Sequence, residues 1–180
     1  MASDPHSDER IMAEVARGRA DRLEPLVRRY ATPLLTFIHR LVGDRHQAEE
    51  LFQETFLAVW VKRGQYQFPR PFRAWLYTIA LNQCRALLRS QKPTRTLDES
   101  GLIATEGASG LDRRETAEQV VRAVQRLPEQ QRIVVSLRVW EELPYARIAE
   151  LLGLTEATVR SHMHHALIAL RRELAFLVVN

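Results

Sequence analysis

Residues 144–170 read PYARIAELLGLTEATVRSHMHHALIAL. Two amphipathic runs flank a short turn. Ala149 is small where two crossing helices must approach closely, Gly153 sits where the turn needs a left-handed residue, and Thr155 is a good N-cap for the second run. Ile148, Leu152, Leu154, Val159, Met163, Leu167 and Leu170 supply a shared core. The pattern predicts a helix-turn-helix with Glu156 to Leu170 as recognition helix. Its outward face carries Ala157, Thr158, Ser161, His162 and His165, with Arg160 and His164 at the edges. A plain antiparallel helical hairpin shares the period, but not the small-Gly-Thr spacing behind a Pro-Tyr pair.

Outward from this unit the helical period persists, and no segment shows sustained strand alternation. Asp112 with Glu115 opens a helix reaching Leu127. Pro128 restarts the chain into a helix ending near Glu142, Pro144 opens the short helix to Leu152, and the last helix runs to about Phe176. In the first half, Asp21 with Glu24 resembles a capping box ahead of the apolar set Leu23, Leu26, Val27, Tyr30, Leu34, Ile38 and Leu41. Pro33 falls inside that set and is expected to kink the helix. Gly43 and Asp44 end it and cap a second helix from Arg45 to Arg63. Pro71 fits the first turn of a third, which runs to Ser90 ahead of Pro93. The stretch PTRTLDESGLIATEGASGLD between them is small, polar and aperiodic. The expected fold is all-α: two small helical bundles joined by a flexible linker, over residues 1–92, 93–111 and 112–180, the C-terminal bundle containing the helix-turn-helix.

Composition narrows the function. The 180 residues are 46% hydrophobic and 27% charged, as in a soluble globular protein, with only 7 Gly and 8 Pro. The one cysteine, Cys84, excludes an internal disulfide and a CxxC zinc site, and fits a reducing, cytoplasmic setting. The longest apolar runs, residues 56–61 and 174–179, hold six residues each. A span needs roughly 20, so no direct membrane insertion is expected. The polar, acidic N-terminus shows no secretory signal.

Net charge is +4, but its distribution matters more. Residues 41–60 hold four acids and one base, residues 61–92 seven bases and no acid, and residues 93–112 four acids against one base. This mosaic predicts two kinds of partner, a basic protein surface and nucleic acid. On the helix from Arg45 to Arg63, Ala48, Phe52, Thr55, Phe56 and Val59 gather on the core side. His46, Glu50, Gln53, Glu54, Leu57 and Val61 gather opposite. Two apolar anchors within an acidic rim form a partner-binding pattern, although stray aliphatics on surface helices are common.

The basic stretch GQYQFPRPFRAW places four aromatics and two arginines around two prolines. Cations hold phosphates, and flat rings accept unstacked bases at about 1–3 kcal/mol each. Tyr66, Phe68, Arg70 and Arg73 are candidates for that role or for ordinary packing. Phe72, Trp75, Leu76 and Ile79 also read as the core face of the helix. Further along, Asn82, Arg85 and Arg89 form a polar ridge by i, i+3 and i, i+4 spacing. His162 and His165 share a face, but no carboxylate or cysteine stands three or four residues from either, so no metal site is expected. No nucleophile–base constellation or phosphate loop is present, so neither an enzyme nor a cofactor is expected.

With these residues in place, the chain resembles an extracytoplasmic-function (group IV) sigma factor of bacterial RNA polymerase. Region 2 is carried by LVRRYATPLLTFIHRLVGDRHQAEELFQETFLAVW and FRAWLYTIALNQCRALLRS, and region 4 by LPEQQRIVVSLRVWEELPYARIAELLGLTEATVRSHMHHALIALR. The resemblance implies that Glu50, Gln53, Glu54 and Leu57 dock the clamp coiled coil of the large polymerase subunit, with a further contact to its flap. It implies that the loop from Gln65 to Arg70 and the following helix melt and read the minus-ten element, with Tyr66, Phe68, Arg70, Arg73, Trp75, Asn82, Arg85 and Arg89 as the contact set. It implies that Thr158, Arg160, Ser161, His162, His164 and His165 read the minus-thirty-five element as duplex, that the acidic linker runs through the polymerase cleft and RNA exit path, and that an anti-sigma factor restrains the protein.

Some positions depart from the family pattern. Leu81 stands where Arg is frequent, Ala86 where Asp is frequent, and His162 and His165 where basic residues are usual. Neutral imidazoles attract phosphate weakly, so duplex binding is expected to strengthen as pH falls through the histidine range. The rival reading is a stand-alone helix-turn-helix regulator with an N-terminal dimerisation or ligand bundle. It predicts tight duplex binding without polymerase and gives no reason for the acid-free aromatic stretch.

Overall fold

A computed structural model describes residues 7–90 and 112–175. The expected linker at 93–111, the helix end near Phe176 and the side chains of Asp112 and Glu115 lie outside the described residues. The described residues are helical, with no strand among them, and the chain divides into two compact units near Leu88.

The first unit holds α1 (Asp8–Ala16), α2 (Leu23–Val42), α3 (Arg45–Val61) and α4 (Phe72–Ser90). Helix α1 was not anticipated from the sequence. Its N-cap Ser7 accepts from the Arg10 N–H, its first turn is acidic, and it buries Ile11, Met12 and Val15. The capping box expected at Asp21 and Glu24 does not form. Asp21 sits in a short 3-10 turn and accepts instead from Arg19 Nη2 at 3.0 Å, so α2 begins without a side-chain cap. Helix α2 continues through Pro33, which stays exposed. Gly43, at φ 83°, ends α2, and Asp44 caps α3 by accepting from the Gln47 N–H at 2.8 Å. Pro71 stands just ahead of α4, its carbonyl accepting from the Trp75 N–H at 3.3 Å.

The core of this unit is built from Leu26, Leu34, Phe37, Ile38 and Leu41 of α2, Val59 of α3, and Phe72, Leu76, Tyr77 and Leu81 of α4. Phe37 meets Tyr77 edge-on at 4.9 Å between ring centroids, and Tyr30 meets Phe72 at 5.6 Å. Thr55 is fully buried. Its hydroxyl lies 2.6 Å from the Leu51 carbonyl and 2.5 Å from Gln83 Oε1, which ties α3 to α4.

The second unit holds α5 (Asp112–Gln125), α6 (Glu129–Val135), α7 (Tyr145–Leu152) and α8 (Glu156–Glu173). Helix α6 does not continue to Glu142. It widens into a π-turn over Ser136–Trp140, closed by Glu141 N–H to the Ser136 carbonyl at 3.3 Å, and Glu142 takes a left-handed φ of 54°. Gly153 is left-handed at φ 65°, and Thr155 caps α8 by accepting from the Thr158 N–H at 3.1 Å. Ile133, Leu137, Ile148, Val159, Met163 and Ala166 are buried between the helices. Leu167, expected in this core, is 49% exposed. The inward stripe of α8 runs 159, 163, 166, so Ala166 takes the inner position and turns its neighbour outward.

Candidate functional site

Three surfaces gather the residues named from the sequence. On α3, Glu50, Gln53 and Glu54 are exposed beside Leu57 and Val61, which are 62% and 67% exposed. Ala48, Leu51, Thr55, Phe56 and Val59 take the inward side, and Phe52 is half-buried against Phe56. The helix therefore divides by face as its periodicity implies, and the acidic rim surrounds apolar side chains left open to solvent among the described residues.

The second surface joins the loop after α3 to α4. Tyr66 does not offer its ring for stacking. It is 8% exposed, packs at 5.4 Å from Trp75 and 6.3 Å from Phe72, and its hydroxyl donates to the Arg70 carbonyl. Burial, with Glu9 and Asp8 adding repulsion toward a phenolate, pushes its phenol well above the usual tyrosine range. Tyr66 instead braces the loop from within. Trp75 is half-buried in the same cluster, so its core role leaves only part of the ring accessible. Phe68 is 52% exposed, and Arg70 and Arg73 are exposed on either side of Pro71. The Arg73 guanidinium lies 5.6 Å from the Tyr77 ring centroid. Asn82 and Arg89 are exposed on α4 and Arg85 is half-buried between them. Leu81 is buried, and Ala86 is exposed on the solvent side.

The third surface is α8. Thr158 is half-buried, and its hydroxyl shares a 2.8 Å hydrogen bond with that of Thr155. Arg160, Ser161, His164 and His165 are exposed, and His162 is half-buried. Arg160 is paired with Glu156 one turn earlier and lies over the Tyr145 ring. The rings of His164 and His165 meet edge-on at 5.7 Å. His165 Nδ1 stands 2.9 Å from the Ser161 carbonyl, one turn earlier on the helix.

No group of three metal-ligating side chains occurs among the described residues, and no described helix is long and apolar enough to cross a membrane. Cys84 is buried, and burial pushes its thiol up to about 12.

Two supports escaped the sequence reading. Glu9 of α1 accepts from the Phe72 N–H, at the foot of the basic surface, and Tyr145 carries the Arg160 contact on α8. The run Ser-Asp-Glu at 7–9 ahead of Ile11, Met12 and Val15 carries the signal for the first, as a cap, an acidic turn and an apolar stripe. Nothing in the sequence pairs Tyr145 with Arg160.

Comparison with known proteins divides the chain in the same way. The family model described as Sigma-70 region 2 matches residues 26–94, and that described as Sigma-70, region 4 matches residues 117–170. The chain is 33% identical over 170 residues to the ECF RNA polymerase sigma factor SigL of Mycobacterium tuberculosis, covering 87% of this chain and 90% of that protein. It is 27% identical over 177 residues to the ECF RNA polymerase sigma factor SigW of Bacillus subtilis, covering 89% and 93%. Its fold is similar to that of CnrH, solved in complex with the cytosolic domain of CnrY, with a TM-score of 0.73 at 24% identity over 93% of this chain and 97% of that one. It is also similar to the sigma factor RpoE of Bartonella quintana, solved in complex with the anti-sigma factor NepR, with a TM-score of 0.68 at 23% identity over 84% and 96%. A helical unit bearing an acidic, apolar-centred face and a basic, aromatic one, followed by a helix-turn-helix unit, thus coincides with both matched regions in order, and the chain belongs to the ECF family of RNA polymerase sigma factors.

Proposed function

We propose a division of labour among the three surfaces of this sigma factor, which directs promoter-specific transcription initiation and has no catalytic step of its own. The α3 face, with Glu50, Gln53, Glu54 and Leu57, docks the clamp coiled coil of the large polymerase subunit, and a second contact reaches the flap. Phe68, Arg70, Arg73, Asn82, Arg85 and Arg89, with the accessible part of Trp75, hold the opened minus-ten strand. The head of α8, with Thr158, Arg160, Ser161, His162, His164 and His165, reads the minus-thirty-five duplex.

The observation that carries this reading is the separation of chemistry within one small unit. Leu57 and Val61 stand exposed among carboxylates on α3, while the next helix and its loop present an exposed ring among arginines. A carboxylate surface repels DNA and suits a basic protein, whereas cations with an accessible ring suit single-stranded nucleic acid. A stand-alone duplex regulator gives no reason for the acid-free, aromatic surface.

The protein works in the cytoplasm, where polymerase and promoter are found. An anti-sigma factor is its expected antagonist. RpoE of Bartonella quintana was solved with the anti-sigma factor NepR, and a fold similar to it offers comparable helical faces to cover.

The test is a pull-down with bacterial core RNA polymerase, comparing wild type with the Glu50→Lys/Glu54→Lys variant. Binding that is lost on charge reversal, while the helical circular dichroism is kept, supports the α3 assignment. Wild type that binds duplex DNA tightly and ignores polymerase overturns it.

A further inference from the structure

Tyr145 opens α7 and lies between two arginines from different segments. The Arg160 guanidinium carbon is 4.5 Å from its ring centroid, and that of Arg138, in the π-turn, is 5.3 Å away. Arg138 Nη1 also reaches the Leu143 carbonyl at 3.5 Å. Arg160 is held a second time, by the Glu156 carboxylate one turn earlier on α8. Tyr145 is half-buried, and Arg160 is exposed at the head of the recognition helix.

These two restraints act differently on the guanidinium. The ring draws the cation to its face and leaves the edge of the guanidinium, with its in-plane N–H donors, open to a phosphate or a guanine. The carboxylate occupies one of those donors and can be exchanged for an incoming acceptor. A flexible arginine held by a ring loses less freedom on binding than one that is free in water.

We propose that Tyr145 is a positioning residue for Arg160, fixing the plane of its guanidinium so that the N–H edge faces duplex DNA. The proposal rests on the reading of α8 as the duplex-reading helix. Glu156 serves as the exchangeable partner that occupies Arg160 until DNA arrives.

The experiment uses holoenzyme assembled with core polymerase and, as probe, a duplex enriched by wild-type holoenzyme from a library randomised upstream of the start site. Tyr145→Phe keeps the ring and retains wild-type affinity. Tyr145→Met fills the space without a ring and weakens binding about two- to fivefold, the range for an exposed cation–π contact. In an Arg160→Ala background, Tyr145→Met produces no further loss, because the group it positions is gone.

Equal loss in both backgrounds, a Phe variant as weak as the Met variant, or no loss at all each overturn the proposal. If Arg160→Ala itself leaves affinity unchanged, the duplex-reading role of Arg160 is wrong and the proposal falls with it. If Arg160→Ala weakens binding and Tyr145→Met does not, only the positioning role is lost. The free wild-type protein gives an independent readout should the Met variant misfold. The δ-methylene protons of Arg160 are shifted upfield by the Tyr145 ring current, and ordinary arginine shifts there overturn the proposal.

Discussion

The Glu9 carboxylate accepts a hydrogen bond at 3.2 Å from the backbone N–H of Phe72, 63 residues further along the chain. Phe72 is the first residue of α4, and that N–H is one of the donors a helix start leaves unpaired. Helix α1 therefore supplies a cap in trans to α4. Asp8, beside it, accepts from the Tyr30 hydroxyl at 2.6 Å and pairs with Arg29, which binds α1 to α2. The loop that carries Phe68 and Arg70 ends where this cap begins, so the N-terminal helix anchors one side of the basic surface proposed to hold the opened strand. Glu9→Ala is expected to lower stability by about 1 kcal/mol, the common cost of a lost helix cap. Glu9→Gln, whose amide oxygen can still accept, is expected to lose less. Urea titration of the two variants checks the order.

The loop contains two aromatic residues with opposite expected behaviour. Tyr66 is buried and Phe68 is exposed. Tyr66→Ala removes a packed ring and its hydrogen bond to the Arg70 carbonyl, and is expected to destabilise the unit by about 3–5 kcal/mol, as for other buried aromatics. Phe68→Ala is expected to leave thermal stability unchanged and to weaken holoenzyme binding to a single-stranded minus-ten probe by about 1–3 kcal/mol, one stacked base. Melting temperature and probe affinity measured on both variants separate the two effects. A Phe68→Ala protein that melts early and binds normally contradicts the assignment.

The helix-turn-helix was legible because its signals are local. Gly153 and Thr155 perform at the turn what their types imply, and α8 starts where the cap places it. The faces of α3 were legible because one helix carries both patterns. What escaped depended on contacts between distant segments. Asp21 and Glu24 have the spacing of a capping box, yet Arg19 captures Asp21 and the box is left unformed. Tyr66 has the residue type of a stacking ring, but its neighbours Phe72 and Trp75, which follow the turn over Gln67–Arg70, enclose it. Leu167 fits an inward spacing on paper, and only the packing of Ala166 against the core shows that the stripe has moved on.

Duplex binding through α8 is expected to depend on pH, because three histidines stand on that helix. His164 and His165 are exposed and His162 is half-buried, with Glu156 and Arg160 as charged neighbours on the same helix. Phosphate favours the imidazolium, so binding and protonation reinforce each other. Holoenzyme affinity for its duplex is expected to rise between about pH 8 and pH 6, with a steeper salt dependence at the lower pH. The triple variant His162→Gln/His164→Gln/His165→Gln is expected to be flat over that range. Equal pH dependence in wild type and variant places the titration elsewhere.

Alkaline pH is expected to loosen the first unit. Three weak acids there are buried as neutral groups. Burial raises the Cys84 thiol from 9.0 to about 12, and burial with the Asp8 hydrogen bond raises the Tyr30 phenol beyond the usual tyrosine range. Tyr66 moves the same way. In each case the folded pKa lies above the unfolded one, so the stabilising contribution is whole below the unfolded value and is lost as pH rises toward the folded value. For Cys84 that window runs from about pH 9 to about pH 12. Stability measured by urea titration is expected to fall from about pH 9 upward, where the unfolded thiol begins to ionise. Cys84→Ala leaves a small cavity at neutral pH but removes one of the three ionisations, so its stability falls less steeply between about pH 9 and pH 10. In the native wild-type protein the thiol stays protonated and enclosed, and a thiol reagent at neutral pH is expected to react only at the rate of opening. Rapid labelling of the folded protein, or identical alkaline slopes for wild type and Cys84→Ala, contradicts this account of the buried thiol.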